Sequence, residues 1–135
     1  SFPTRRSSDL IKRVKIGSTT YSLSQIENSI LIGQFGEGRI HFAINCAAKS
    51  CPPLWNRAFN SDNVQSMLTQ RAREFINNPK YNTIKKRSAE LSKIFEWYAK
   101  DFGNDIITYI NKYSAVQMIG SAKVSYREYD WALNN

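Results

Sequence analysis

The stretch His41-Phe42-Ala43-Ile44-Asn45-Cys46-Ala47-Ala48-Lys49-Ser50-Cys51-Pro52-Pro53-Leu54 gathers the single histidine and both cysteines of the chain. A cysteine nucleophile must be a thiolate, and a nearby imidazole or a helix N-terminus favours ionisation. The block therefore points to thiol-dependent hydrolysis or acyl transfer. Cys46 would be the nucleophile, His41 the base, and Asn45 or Asp130 a polar orienter. One geometric condition applies. If the run is an extended strand, five residues span about 16 Å and the odd offset puts His41 and Cys46 on opposite faces. They meet only if the chain bends sharply after Asn45. Asn45 shares a strand face with His41 at about 13 Å, too far to orient it directly, although both could line one cleft.

Other readings of the same residues stay open. A free cysteine is commonly a small buried core residue, and Cys46 with Cys51 could form a disulfide in an oxidising compartment. His41 could be a hydrogen-bonded structural histidine. Asp130, after a strand, could cap the following turn. Cys46 and Cys51 enclose four residues, which is not the C-x-x-C spacing of redox or zinc sites. No metal or other cofactor is expected.

The elements that must carry these groups are legible in outline. Arg13–Ile16, Gly17-Ser18 and Thr19–Tyr21 read as a hairpin. Ser22-Leu23-Ser24-Gln25 is a capping box, opening a helix from Leu23 to Ile32 with Leu23, Ile26 and Ile30 inward and Gly33 as its stop. Arg39–Asn45 alternates and reads as a strand, with Ile40, Phe42 and Ile44 in the core and His41, Ala43 and Asn45 on the other face. Val64, Leu68, Ala72 and Phe75 mark a helix from Asp62 to Asn77. Tyr81–Ala89 is polar and basic and reads as an exposed connection. Ser92–Phe102 reads as a helix from which Trp97 falls off the inward stripe, placing it at a ligand or partner surface. Asn104 caps a third helical face, and Lys123–Tyr129 reads as a closing strand. Asp101-Phe102-Gly103 reads as a helix C-terminus.

A chain of 135 residues, 41% hydrophobic and 13% aromatic, supports one core. The expected class is a single α+β domain with helices packed on a small sheet and most strands near the two ends. The net charge of +8 is dispersed rather than gathered on a nucleic-acid motif, so no nucleic acid is expected. No apolar run approaches a membrane span. Residues 1–10, Ser1-Phe2-Pro3-Thr4-Arg5-Arg6-Ser7-Ser8-Asp9-Leu10, look like a translated sequencing adapter, leaving 11–135 as an N-terminally truncated domain whose native start is missing.

The His41–Leu54 block resembles the signature of the domain of unknown function 547 family. Ser22–Glu27, Leu91–Tyr98, Asp101-Phe102 and Tyr129–Asn134 support the resemblance, which runs through nearly everything from Val14 onward. Its flavour is bacterial, and such members are often exported, so a periplasmic or extracellular location is expected. Plant relatives attach a coiled-coil region that is not in this chain. The resemblance implies a cysteine-peptidase-like or transglutaminase-like fold. The family's N-terminal Asn-Ala-Tyr-Asn type motif is not in this chain, and Asn28 stands where relatives carry His. Two functions follow as expectations. One is a binding or interaction module for a peptide or small molecule, with a cleft near His41–Cys46. The other is a thiol-dependent hydrolase or acyltransferase.

Overall fold

The computed structural model describes residues 10–134. The adapter-like decamer therefore lies outside the described residues, apart from Leu10. The chain is of mixed α+β class, and it divides into two compact units that part between Gly38 and Arg39. No helix among the described residues is long and apolar enough to cross a membrane.

In the first unit, strands β1 (Lys12–Ile16) and β2 (Thr19–Ser22) pair antiparallel across a two-residue turn. Gly17 adopts φ 61° there, the left-handed conformation that tight hairpin turns require. Ser22 ends the strand and caps helix α1 (Leu23–Gln25). The Gln25 N–H donates to Ser22 Oγ at 3.1 Å, and the Ser22 N–H donates to Gln25 Oε1 at 2.9 Å. The helix then widens into a π-helix over Ile26–Ile32, so the expected regular α-face is not formed and Leu23 is 56% exposed. Gly33 fits this wide turn because a Cβ there would lie 2.8 Å from the Ser29 carbonyl and 3.0 Å from that of Asn28.

The second unit corrects the expected strand at Arg39–Asn45. Gly38–Phe42 is a 3-10 turn, and the Ile40 carbonyl accepts from both Ala43 and Ile44 N–H groups. The physical reason lies in adjacent side chains. His41 and Phe42 are both buried, which a strand with one buried face cannot achieve, since neighbours point to opposite faces. Phe42, fully buried, lies 5.2 Å from the ring of Phe75, 5.7 Å from Phe95 and 5.8 Å from Phe102. Its expected inward position is kept, although the backbone around it is helical.

Helix α2 (Val64–Ile76) supplies Ala72, Phe75 and Ile76 to the same core and buries Leu68 as well. The polar connection expected at Tyr81–Ala89 holds strand β3 (Thr83–Ile84) and the start of β4 (Ser88–Leu91). Tyr81, Asn82 and Ala89 are buried there. Asn82 explains how so polar a run folds: its amide donates to the Phe75 carbonyl and accepts the Ser92 N–H, both at 2.8 Å. Strand β5 (Lys123–Tyr126) pairs parallel to β4, and β3 antiparallel, in the order β3-β4-β5. A parallel pair needs a long crossover. Here it carries α3 (Ile94–Trp97), a 3-10 turn (Ala99–Phe102) and α4 (Ile106–Asn111). The single helix expected over Ser92–Phe102 is broken at Tyr98. Asp105, rather than Asn104, caps α4, its Oδ1 accepting the Ile107 N–H.

Two substitutions test this packing by urea unfolding. Phe42→Ala empties the centre of the aromatic core and is expected to cost about 3–5 kcal/mol. Gly33→Ala would gain up to about 1 kcal/mol of helix propensity in open space. The clash with two backbone carbonyls outweighs that, and a net loss of about 1–2 kcal/mol is expected.

Candidate functional site

His41 leaves the 3-10 turn toward the crossover. Its Nε2 lies 2.9 Å from Asp101 Oδ2, and its ring stacks on Tyr98 at 4.1 Å. Burial lowers its pKa below the ordinary value, only partly opposed by the hydrogen bond and charge of Asp101. The neutral ring therefore donates its Nε2 proton to the carboxylate. Asp101 was not legible as a partner, because the surrounding tripeptide reads as a helix end. The one signal was its place in the Asp101-Phe102 stretch of the family resemblance.

After Ile44 the chain turns sharply, and Asn45 makes the turn. Its Oδ1 accepts the Ala47 N–H at 2.6 Å, and its Nδ2 donates to the Pro52 carbonyl at 2.7 Å. The amide thus closes a loop around both cysteines. Ala47 sits at φ 64°, a conformation costing about 1–2 kcal/mol for a residue with a Cβ. The C-terminal segment laces onto this loop. Lys49 N–H donates to the Ala132 carbonyl, Ser50 N–H to that of Asp130, and Asn134 N–H to that of Ala47. Asp130 also donates its N–H to Ser50 Oγ, while its carboxylate accepts the Ala132 N–H. Asp130 thus reaches the cysteine loop through its backbone, and its carboxylate makes a local turn.

This lacing sets Tyr129 over the cysteines. Cys46 is exposed and Cys51 buried, and both are free. The Tyr129 hydroxyl lies 3.3 Å from Cys46 Sγ, and the Cys46 N–H donates to Cys51 Sγ at 2.9 Å. The hydrogen bond from the Cys51 thiol pulls the Cys46 pKa down to about 5, against desolvation and with help from Tyr129 and the Ala48 N–H. The Cys51 pKa moves up, first through its bond to Cys46 and then through burial. Burial and then the Cys46 bond push the Tyr129 pKa up as well. Beside the sulfur, Trp97, Tyr129 and Trp131 form an aromatic cluster with ring centroids 4.6 to 5.5 Å apart.

Asn45, Cys46 and the backbone of Asp130 therefore meet in one loop. His41 is turned to Asp101, and Cys46 takes its polar partners from Cys51, Tyr129 and the backbone. Tyr129 reads in sequence as one core aromatic among many, and Cys51 as a disulfide partner rather than a donor. Among the described residues no group of three or more His, Cys, Asp or Glu is placed to hold a metal ion.

A family model described as "Protein of unknown function, DUF547" matches residues 5–76. The chain belongs to this family. The match takes in His41, Asn45, Cys46 and Cys51; Asp101, Tyr129 and Asp130 lie beyond it. No curated protein and no solved structure matches the chain.

Two measurements follow from this geometry. Asn45→Ala removes both loop-closing bonds and should cost about 1–3 kcal/mol in urea unfolding. The sign for His41 comes from its lowered pKa. Above pH 6.5 the ring is neutral in both states and contributes no pH dependence. Below 6.5 the unfolded chain takes a proton that the native state resists, so stability falls with pH until the native ring is itself protonated. Unfolding titrations from about pH 7 to 5 should lose up to about 1.4 kcal/mol per unit more in the wild type than in His41→Gln.

Proposed function

We propose that Cys46 is the working group of this domain, a surface thiolate that attacks an electrophilic centre in a peptide or small molecule docked on the aromatic cluster. One observation carries this reading: the exposed Cys46 sulfur faces a tyrosine hydroxyl at 3.3 Å beside a second, buried thiol. A merely packed cysteine would be buried among apolar atoms. Here the donors solvate negative charge on sulfur, as a low-pKa nucleophile requires. In an acyl-transfer form, Tyr129 is the hydroxyl nearest the attacking sulfur and would donate to the oxyanion. His41, paired with Asp101, then acts by fixing the turn from which the loop leaves.

A second reading, binding without chemistry, draws on Trp97, Tyr129 and Trp131, the last 48% exposed. Paired aromatic rings with open faces suit planar or apolar ligand groups.

Alkylation by iodoacetamide, followed by mass spectrometry across pH, tests the nucleophile. One fast-reacting thiol is expected, lost in Cys46→Ser, with a rate midpoint near pH 5. Tyr129→Phe and Cys51→Ser should each move that midpoint upward. A midpoint in the ordinary thiol range, about 8.5, would leave only the binding reading standing.

A further inference from the structure

We propose that Cys46 and Cys51 form a thiol–disulfide exchange couple, in which Cys46 attacks a substrate disulfide and Cys51 resolves the mixed disulfide. The inference rests on the reading of Cys46 as a nucleophile and adds the substrate class and a second chemical step. Three features of the loop support it. One sulfur is exposed and the other buried, with neither oxidised. The buried sulfur already touches the backbone of its partner, since Cys46 N lies 2.9 Å from Cys51 Sγ. By bond lengths, that contact holds the two Cα atoms within about 7 Å, at the edge of the span a disulfide bridges. The Tyr129 hydroxyl also lies 3.3 Å from the Cys46 sulfur, so a donor is in place where the attacking charge sits.

The order of events is built into these contacts. The Cys46 thiolate attacks one sulfur of R–S–S–R′. The Cys46–S–R bond forms as the S–S bond breaks, and R′S⁻ leaves and takes a proton from water. Cys46 is now neutral. The hydrogen bond to Cys46 and the charge there had opposed ionisation of Cys51, with burial as a further cause; with that charge gone, Cys51 gives its proton to water as it attacks. The Cys46 N–H, already directed at the Cys51 sulfur, receives the new thiolate. Cys51 then attacks Cys46 Sγ, forms the Cys46–Cys51 disulfide and expels RS⁻. One substrate disulfide is reduced to two thiols, and the protein dithiol is oxidised by two electrons. Reopening the couple takes a dithiol reductant, which reverses the same steps. The aromatic cluster of Trp97, Tyr129 and Trp131 offers a surface for the groups flanking the substrate sulfur, whether they belong to a small molecule or a peptide.

The test uses fully reduced, desalted protein at about pH 6 with two probes in separate arms: glutathione disulfide, and a disulfide-linked peptide with flanking aromatic residues. Acid-quenched samples are read by intact mass and peptide mapping. The wild type should show a short-lived adduct on Cys46, then loss of the adduct with formation of the Cys46–Cys51 disulfide, reversed by dithiothreitol. Cys51→Ser should trap the adduct on Cys46 in full yield. Cys46→Ser should consume probe at least about tenfold more slowly, the net of thiolate fraction against lower intrinsic nucleophilicity. A faster peptide arm assigns a peptide disulfide, and a faster glutathione arm a small one. If the wild type stops at the Cys46 adduct and matches Cys51→Ser, the exchange couple is wrong and the nucleophile stands. If Cys46 forms no adduct and is not alkylated quickly at the same pH, the nucleophile reading fails first. The wild-type time course decides both points should a variant fold poorly.

Discussion

The cysteine site depends on the backbone lacing between Ala47–Ser50 and Asp130–Asn134. Ala47 to Leu54 has almost no regular structure of its own beyond one isolated bridge, Ala48 to Leu133. Its neighbours in sequence could not hold two thiols in register. The contacts that do so come from about eighty residues away in the chain, as in the Asp130 N–H donating to Ser50 Oγ. Bringing such distant segments together has an entropic cost that grows only slowly with loop length. A few hydrogen bonds of about 1 kcal/mol each, added to aromatic packing of Trp97, Tyr129 and Trp131, are on the scale needed to offset it. The parallel β4–β5 pair does the remaining work, because it delivers the chain to Tyr129 immediately after Tyr126.

His41 and Cys46 are divided by the same architecture. The 3-10 turn buries His41 with Phe42, and burial favours the neutral ring. A neutral imidazole held on Asp101 cannot offer a thiolate the positive charge found in imidazolium–thiolate pairs. Cys46 depends instead on uncharged donors: a thiol, a phenol and backbone N–H groups. Several hydrogen bonds to one exposed sulfur can replace one ion pair, since bonds to a charged acceptor are stronger than neutral ones.

Local sequence signals suffice where short-range physics decides. The Ser22–Gln25 capping box, the Gly17-Ser18 turn and the periodicity of Val64–Ile76 depend on residues within a turn or two of each other. The inward placement of Phe42 was legible, and the backbone that achieves it was not. Alternation at Ile40, Phe42 and Ile44 is also compatible with a tight turn, and only the burial of neighbouring His41 separates the two. Tyr81–Ala89 looks like an exposed basic connection because what orders it is distant: Asn82 bonds the Phe75 carbonyl and the Ser92 N–H, and β4 pairs with a strand that begins at Lys123. Asp101 and Tyr129 acquire their roles from tertiary contacts alone. Nothing in their local sequence distinguishes an aspartate at a helix end from one facing an imidazole.

The choice of donors also bears on which bond such a site can break. Expelling an amine from an amide requires a proton at the leaving nitrogen, usually from an acid with a pKa near the working pH. The Tyr129 pKa is pushed up by burial and by its bond to Cys46, so Tyr129 holds its proton as a hydrogen-bond donor and is a poor source for such a transfer. Expelling a thiolate requires no proton in the breaking step, because sulfur carries the charge. The donors around Cys46 favour its thiolate, and the neighbouring Cys51 keeps its proton through the Cys46 bond and burial. A cluster with these properties is better matched to sulfur as electrophile than to carbon. The reason lies in which proton is missing from the site, and not in how reactive Cys46 is.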